Sequence, residues 1–319
     1  MVNATTILYG TAWCDTTLLA QMSSHNQNLE RQDGIRRHFA FDWTTLAAIN
    51  PHYRRFVQGE IERLGEDHLS IRTQYRLLPI SGAGYLLNDL QRYLLRGSHT
   101  WLNEPSDDYY IAGMDIGGEE ERASSIEQSA TASKRDSTVI TIGRVCYNEL
   151  DLPGIEVVHQ CWFTGMKYLD QYAATCEMMQ RWNIRQLVVD RTGLGDGLAS
   201  LLREKFGEER VTGFRFTRPS KSALTFQFLG MVNSGRLKIY APDLVPSSIY
   251  EECWQQLTHA RYSIPGEGLM NMYCDASNNM HDDFLCSLAL CCEAIHETCA
   301  PIQPASIIRP RRLYEDGRF

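Results

Sequence analysis

The feature that most constrains the fold is an alternation of β-like and helical segments that begins at Tyr109. Three strand candidates come first, over Tyr109–Ile116, Ser137–Tyr147 and Ile155–Phe163. Helix and strand candidates then alternate to residue 298, and the apolar run Gln186–Asp190 has the composition of a buried strand. Early strands followed by alternating helices and strands predict an α/β layered fold, in which a sheet is flanked by helices.

The remaining elements are predicted from the same periodicities. Helices are predicted over residues 167–182, 198–206, 220–233, 246–260 and 280–298, strands over 211–216 and 236–240, and a hairpin across 265–268. Between the first two strands, residues 119–136 are polar and rich in Ser and Glu, which is typical of a loop.

The first hundred residues have a different pattern, and we expect a domain boundary near residue 105. Thr5–Tyr9 is β-like, and Pro51–Leu64 has apolar residues at helical spacing with a proline in its first turn. Glu104–Asp108 is polar and contains a proline, as linkers often do. The predicted units are therefore residues 1–105, a larger domain over 106–300, and a tail over 301–319.

Composition excludes some classes of protein. No apolar run approaches the roughly 18 residues that a membrane span needs, so no membrane association is expected. The first twenty residues lack a basic stretch followed by an apolar one, so no secretory signal is predicted and a cytoplasmic location is expected. The net charge of −8 argues against indiscriminate coating of nucleic acid, although it does not exclude a local basic cleft.

The ten cysteines do not form a recognisable disulfide or zinc pattern, because no CxxC spacing occurs. His281, Cys286, Cys291 and Cys292 are close in sequence, but most of them fall on an apolar helix face. We interpret these cysteines as reduced thiols in the core rather than as zinc ligands.

Three acidic positions are the candidate reactive groups. Asp115 lies within the first strand among small residues, which would leave room for a ligand, and Asp190 ends the buried strand before a glycine-rich loop. Asp282 and Asp283 begin the last predicted helix. Each position also has an ordinary structural interpretation. Asp115 could be a turn residue, Asp190 a loop residue, and Asp282 and Asp283 acids that cap the helix.

The combination of these positions is more informative than any one of them. Carboxylates on an early strand, on a later strand end and on a closing helix can converge, and hard oxygen ligands with open positions favour Mg²⁺ or Mn²⁺. Two such ions, roughly 3.5 to 4 Å apart, activate water and stabilise the leaving oxygen in phosphodiester hydrolysis. The sequence therefore favours a site for two divalent cations.

These motifs resemble the nuclease domain of the large terminase subunit of tailed bacteriophages, a ribonuclease H-like fold. The resemblance covers about residues 109–298. The residues that carry it are Gly113-Met114-Asp115-Ile116-Gly117, Asp136-Ser137-Thr138, Val188-Val189-Asp190-Arg191-Thr192-Gly193-Leu194-Gly195, Thr217-Arg218-Pro219-Ser220-Lys221-Ser222 and His281-Asp282-Asp283. The resemblance implies a metal-dependent endonuclease that cuts concatemeric double-stranded viral DNA during packaging, with the portal protein and small terminase subunit as partners in the host cytoplasm.

The N-terminal unit is similar to the closing portion of the ATPase domain of the same family. The similarity is carried by Gly10-Thr11-Ala12-Trp13, Thr16-Thr17-Leu18-Leu19 and Ile71-Arg72-Thr73-Gln74-Tyr75. A P-loop requires glycines before its Lys-Ser/Thr pair, but Lys221-Ser222 has Arg215 and Ser220 at those positions, and no lysine precedes residue 134. We therefore expect a partial P-loop ATPase-type segment without ATPase activity.

Site assignments within the last helix leave one choice open. On a helical wheel, Asp282 lies nearer the apolar face, whereas the family spacing matches Asp283, which we favour as the direct ligand with Asp282 close by. Arg215, Arg218 and Lys221 are predicted to line a basic DNA cleft, with a solvated charge cluster as the alternative. An auxiliary carboxylate from residues 119–121 is less favoured than an ordinary loop.

Two other functions remain open. Asp115-Ile116-Gly117-Gly118 and residues 190–195 also resemble the phosphate loops of actin-like and sugar-kinase ATP-binding proteins. The acid pair Asp282-Asp283 favours the nuclease, because the kinase-like scheme usually has a glycine pair at the corresponding place. A catalytically silent portal-docking module is the third alternative, and only an activity measurement separates it from the nuclease.

Overall fold

A computed structural model describes residues 6–299, apart from 12–14, 16, 81–82, 118–136, 194, 267–268 and 276–279. The predicted loop over 119–136, with its candidate carboxylates at 119–121, and the predicted tail over 301–319 lie outside the described residues. In the part that is described, no helix is long and apolar enough to cross a membrane.

The strands and helices alternate in the larger domain largely as predicted. The strands are β1 (Ala83–Tyr85), β2 (Tyr110–Asp115), β3 (Ser137–Tyr147), β4 (Pro153–Thr164), β5 (Gln186–Asp190), β6 (Val211–Phe214), β7 (Leu237–Ile239), β8 (Arg261–Gly266) and β9 (Leu269–Tyr273). The helices are α1 (Leu18–Asp33), α2 (Trp43–Ala47), α3 (Pro51–Leu64), α4 (Asp89–Leu95), α5 (Tyr168–Arg181), α6 (Gly195–Phe206), α7 (Arg218–Asn233), α8 (Ser247–His259) and α9 (Asp283–Cys299), with a π-helical turn at Ile71–Tyr75.

The main sheet is mixed, with strand order β6-β5-β2-β3-β4-β7. Strands β2, β3 and β4 form an antiparallel meander, whereas β5 pairs parallel with both β2 and β6, and β7 pairs parallel with β4. A smaller antiparallel sheet contains β1, β8 and β9, so the predicted hairpin is present. The predicted α/β class, a mixed sheet flanked by helices, is confirmed.

Alternating residues of β2 enter two separate cores, which explains its continuous apolar sequence. Ile111 faces the core formed with α7, α8 and α9, whereas Ala112 and Met114 face the core formed with α5 and α6. These three side chains are fully buried. Burial of a large apolar side chain contributes about 1.5–3 kcal/mol to the free energy of unfolding. Alternate residues of β2 therefore hold one helical layer on each face of the sheet.

Gly113 is the point at which α9 crosses β2 most closely. A Cβ atom at this position would collide with the backbone nitrogen of Cys291 and the backbone oxygen of Ser287. The sequence-based explanation, that this small residue leaves room for a ligand, is therefore wrong for Gly113. The space beside β2 is filled by the backbone of α9, which requires glycine there.

The N-terminal part of the chain packs against the larger domain at several places. Helix α3 spans the predicted range, with Asn50 capping its first turn. Strand β1 pairs with β8, and Leu87, Leu95 and Trp101 join the core that contains α9. The division at residue 105 therefore does not coincide with a break in packing, and it stays a prediction.

Three local predictions need correction. Residues 6–9 form no strand, because this segment is exposed and, among the residues that the structure describes, no strand pairs with it to complete its hydrogen bonds. Strand β6 ends at Phe214 rather than at residue 216, since the chain turns there toward α7. Helix α9 begins at Asp283 instead of residue 280, which places Asp282 immediately before the helix.

The cysteines behave as small apolar residues. The free thiols of Cys253, Cys291 and Cys292 are buried in the core beside α9, and the free thiol of Cys286 is buried as well. This arrangement confirms the core-thiol interpretation for these four residues.

Candidate functional site

Asp115 and Asp190 leave the sheet side by side. Strands β2 and β5 are parallel neighbours, and their register pairs Met114 with Val189, so the next residue of each strand is an aspartate. Because Met114 and Val189 face the α5–α6 side, strand alternation directs both aspartates to the opposite side, where α9 lies. Two separate sequence motifs therefore meet at one edge of the sheet.

Asp283 reaches the same edge from the first turn of α9. It is 8% exposed, and its carboxylate accepts a hydrogen bond from the backbone nitrogen of Ser137 at 3.3 Å. Since Ser137 is the first residue of β3, this bond joins α9 to the strand next to β2. The fold thus places the three predicted carboxylates, Asp115, Asp190 and Asp283, at the same edge of the sheet.

Burial and the neighbouring carboxylates both oppose a negative charge on Asp115. Burial raises the pKa of Asp115 well above its usual range, and the charges of Asp283, Asp190 and Asp282 raise it further. Burial also raises the pKa of Asp190, although hydrogen bonds from Thr192, including its backbone nitrogen at 2.8 Å, and the charge of Lys221 oppose the shift. An edge that concentrates negative charge in this way favours the binding of a cation.

The structure distinguishes Asp282 from Asp283. Asp283 acts more strongly than Asp282 on the pKa of Asp115, which indicates a closer approach. Asp282 has a side chain that is 35% exposed, and its carboxylate lies 3.8 Å from the ammonium group of Lys221. Asp283 is therefore the more buried of the two acids, Asp282 lies at the rim of the site, and the choice of Asp283 as the direct ligand stays a prediction.

The three predicted cationic residues occupy different environments. Lys221 lies among the carboxylates, where it lowers the pKa of Asp115 and of Asp190 and packs against Phe216. Arg215 and Arg218 are exposed at the β6–α7 junction. Lys221 therefore neutralises the acidic edge from within, whereas the two arginines are free to meet a ligand from solvent.

The available donors suit a hard divalent cation. Cys274 and Cys286 lie near the acids, but burial raises the pKa of Cys274 to about 12 and that of Cys286 well above its usual range. Both are therefore neutral thiols in the metal-free protein. The carboxylate oxygens match Mg²⁺ or Mn²⁺ instead.

The acidic side chains at this edge are not tightly clustered. In the described part of the chain, no group of three or more His, Cys, Asp or Glu side chains lies close enough together to hold a metal ion. Like charges repel when no cation screens them, so a bound ion would draw the carboxylates inward. Such an ion would complete its shell with water and ligand oxygens, as Mg²⁺ commonly does.

Several supporting groups were not identified from sequence. Thr138 accepts a hydrogen bond from the backbone nitrogen of Gly117 at 3.0 Å and donates one to Gln171 at 3.0 Å, which anchors the chain just after Asp115. Gln256 of α8 bonds to the first turn of α9. The segment 136–138 was noted only as a family resemblance, Asp136 is outside the described residues, and no periodicity marks either glutamine.

Together, the mixed sheet and the acidic edge define an α/β domain of the ribonuclease H-like class. Residues 128–263 match the model of a protein family described as the terminase RNaseH-like domain. Over this range the chain is similar to the terminase RNase H-like domain, and the predicted resemblance to the nuclease part of the large terminase subunit is confirmed. The matched range includes Asp190 and Lys221, whereas Asp115 and Asp283 lie outside it.

Similar folds occur among solved phage structures. The large terminase nuclease from thermophilic phage G20c, solved with bound magnesium, is 17% identical at a TM-score of 0.46, covering 65% of this chain and 97% of that one. The HK97 bacteriophage large terminase is 10% identical at a TM-score of 0.45, covering 86% of this chain and 60% of that one. A mutant nuclease domain of the large terminase subunit of bacterial virus Sf6, with manganese and beta-thujaplicinol, is 10% identical at a TM-score of 0.43, covering 66% of this chain and 98% of that one.

Comparison with curated proteins found no match. At such low identities and TM-scores, the residue roles in this chain depend on its own geometry. The ATPase-like interpretation of the first hundred residues is outside the family match and stays a prediction.

Proposed function

We propose that this protein is a metal-dependent DNA endonuclease of a viral packaging terminase, which cuts concatemeric double-stranded DNA during genome packaging. The observation that supports the proposal is the position of Asp115, Asp190 and Asp283 at one edge of the sheet, in a chain whose residues 128–263 match the terminase RNaseH-like family model. The wider system would include the portal protein and the small terminase subunit in the host cytoplasm.

The three aspartates would hold two Mg²⁺ or Mn²⁺ ions. When bound, the ions supply an activated water on one side of the phosphodiester and stabilise the leaving oxygen on the other. Asp115 is the central group because the charges of both Asp190 and Asp283 act on it. Lys221 limits the net negative charge at the edge, and Arg215 and Arg218 would bind phosphates, for which the guanidinium fork is suited.

The test is a plasmid-cleavage assay on the full chain and on single variants. We expect cutting with Mg²⁺ or Mn²⁺ and none in EDTA, and we expect D115N, D190N and D283N each to abolish it, because each change removes a negative ligand. The matched control is D196N. Asp196 is six residues from Asp190, but it is exposed and its carboxylate is 2.6 Å from Arg191.

Two results would contradict the proposal. Cutting that persists in D115N and D190N would show that the acidic edge takes no part in the chemistry. Loss of cutting in D196N alone would place the site at the start of α6 instead. ATP with Mg²⁺ should not change the Tm, since a ligand that does not bind cannot shift unfolding. A rise of several degrees would instead favour the ATP-binding alternative.

A further inference from the structure

Gln256 connects α8 to the beginning of α9. It is 1% exposed, and its side-chain oxygen accepts hydrogen bonds from the backbone nitrogens of Phe284 at 2.8 Å and Leu285 at 3.4 Å. Both nitrogens belong to the first turn of α9, where a helix provides no backbone acceptor of its own. The helix that carries Asp283 is therefore capped by a side chain from another helix.

The orientation of the Gln256 amide is determined by its second contact. Its nitrogen donates to the carboxylate of Glu252 at 2.9 Å, one turn earlier on α8. A carboxylate accepts but does not donate, so the amide nitrogen must face Glu252 and the oxygen must face α9. The thiol of Cys274 also donates to the backbone oxygen of Gln256 at 3.5 Å, which ties this turn of α8 to the chain after β9.

The residue before α9 has a different partner. The carboxylate of Asp282 faces Lys221, as described above, while Gln256 supplies the acceptor for the next two amides. Asp283 lies between these two attachments and is held by them in the position from which its charge acts on Asp115.

We propose that Gln256 is a positioning residue for the carboxylate site. By fixing the first turn of α9 from α8, it keeps Asp283 directed toward Asp115 so that the pair can share a divalent cation. The inference rests on the proposed function for the identity of that cation. Gln256 itself touches neither the reacting atoms nor the ion.

The experiment replaces Gln256 with methionine in the full chain and uses Mn²⁺ alone as the probe. Methionine has a similar length but accepts no strong hydrogen bond, so the amides of Phe284 and Leu285 lose their acceptor. We expect the affinity for Mn²⁺, measured by calorimetry, to fall about 10- to 100-fold, the range found for residues that orient metal ligands. The Mn²⁺ concentration for half-maximal DNA cutting should rise in parallel, while cutting at saturating Mn²⁺ largely recovers.

The matched control is Gln91→Met. Gln91 is also a buried glutamine that takes part in capping a helix: its side-chain oxygen accepts from the backbone nitrogen of Asn88, and its nitrogen donates to Asn233. Both substitutions remove a buried amide and should lower the Tm. Only Gln256→Met should change Mn²⁺ affinity, which separates positioning from general stability.

A rescue variant tests the hydrogen bonds directly. The double change Glu252→Gln and Gln256→Glu exchanges donor and acceptor, so a side-chain oxygen still faces α9. We expect this variant to bind Mn²⁺ more tightly than Gln256→Met, and hydrogen exchange at Phe284 and Leu285 to be slow again. If Gln256→Met fails to fold, Glu252→Ala, which frees the amide to rotate, should show a smaller loss of Mn²⁺ affinity.

The outcomes separate the inference from the proposed function. Gln256→Met with a lowered Tm and parental Mn²⁺ affinity would overturn the positioning role, as would an equal loss of affinity in Gln91→Met. A parent chain that binds Mn²⁺ but leaves DNA intact would overturn the nuclease and leave the positioning role supported by the binding data. A parent that binds no Mn²⁺ would overturn both.

Discussion

Asp115 lies in an environment that opposes its negative charge. It is half-buried, three other carboxylates act on it, and Lys221 is the cation that acts against them. Its pKa is raised well above the usual range, so in the folded protein the proton is held to a higher pH than in the unfolded chain. Charging Asp115 therefore costs folding free energy as the pH rises through its folded-state pKa.

We predict that D115N stabilises the metal-free protein. In EDTA, the free energy of unfolding of D115N should exceed that of the parent, because asparagine brings no charge into this buried and acidic environment. The gain should be present at about pH 8 and should disappear below about pH 4, where the Asp115 carboxyl of the parent is neutral in both the folded and the unfolded state. Thermal unfolding at a series of pH values measures this difference.

The exposed residue Asp196 provides the comparison for this experiment. D196N removes a surface carboxylate that is paired with Arg191, and exposed pairs contribute little, so its Tm should stay near that of the parent. A lower Tm for D115N than for the parent at alkaline pH would contradict the electrostatic account of the site.

At the scale of elements, the site depends on how closely α9 approaches β2. The hydroxyl of Ser287 in α9 bonds to the backbone oxygen of Gly113 at 2.9 Å and to Thr141 of β3 at 2.8 Å. Thr141 in turn accepts from Gln160 at 2.9 Å, and Gln160 accepts from Tyr240 at 2.6 Å. This satisfied polar chain fixes the position of α9 along the sheet, and with it the position of Asp283.

Gly113→Ala should displace α9. The added methyl group has no space between β2 and the α9 backbone, and overpacking of this kind costs about 1–3 kcal/mol. Because α9 carries Asp283, the affinity for Mn²⁺ should fall together with the Tm. Thermal unfolding and calorimetry on the same sample would measure both effects.

Gly59→Ala is a suitable control for the glycine substitution. Gly59 is in the interior of α3, and a Cβ atom there meets no atom within 4 Å. Alanine should stabilise α3 by about 0.5–1 kcal/mol and leave Mn²⁺ binding unchanged. A Gly113→Ala protein as stable as the parent would show that the helix can move away without cost.

At the scale of the whole molecule, the charge distribution limits DNA binding. A net charge of −8 gives little long-range attraction for a polyanion, so binding must depend on a local group of cations. Arg215 and Arg218 are exposed next to the acidic edge, whereas Lys221 is occupied by the carboxylates. The prediction that Arg215, Arg218 and Lys221 line a DNA cleft stays a prediction, and the two exposed arginines are the more accessible part of it.

DNA binding should be weak and steeply dependent on salt. Each neutralised phosphate contributes a slope of about −0.9 in log K against log salt, so the double change Arg215→Ala and Arg218→Ala should reduce the slope by about 2. Fluorescence anisotropy at several salt concentrations measures the slope. Mn²⁺ affinity should stay at the parental level, because neither arginine acts on the carboxylates.

Arg185→Ala is the control for this surface. Arg185 is exposed and precedes β5, so it lies at the opposite end of the strand from Asp190. Its removal should leave the salt slope unchanged. An unchanged salt slope in the Arg215 and Arg218 double variant would show that this face of the protein does not bind DNA.

The sequence alone determined the order and type of the elements in the larger domain. The ranges of β3, β5 and α3 coincide with their predictions. Strand alternation and helical spacing are local patterns, so a few consecutive residues or helical turns are enough to reveal them. The positions of Asp115 and Asp190 at neighbouring strand ends were also predictable, since parallel strands in an α/β sheet end at a common edge.

Only the tertiary structure decided the relations between distant segments. Gly113 proved to be a contact with α9, Lys221 lies among the acids, and Gln256 caps a helix from another element. None of these contacts has a periodic signature, because each joins residues far apart in the chain through a single close approach. The position of Asp282 on the helical wheel is misleading for the same reason. The first turn of a helix is oriented by the groups that cap it and pack against it, and for α9 these groups are Gln256 and the start of β3.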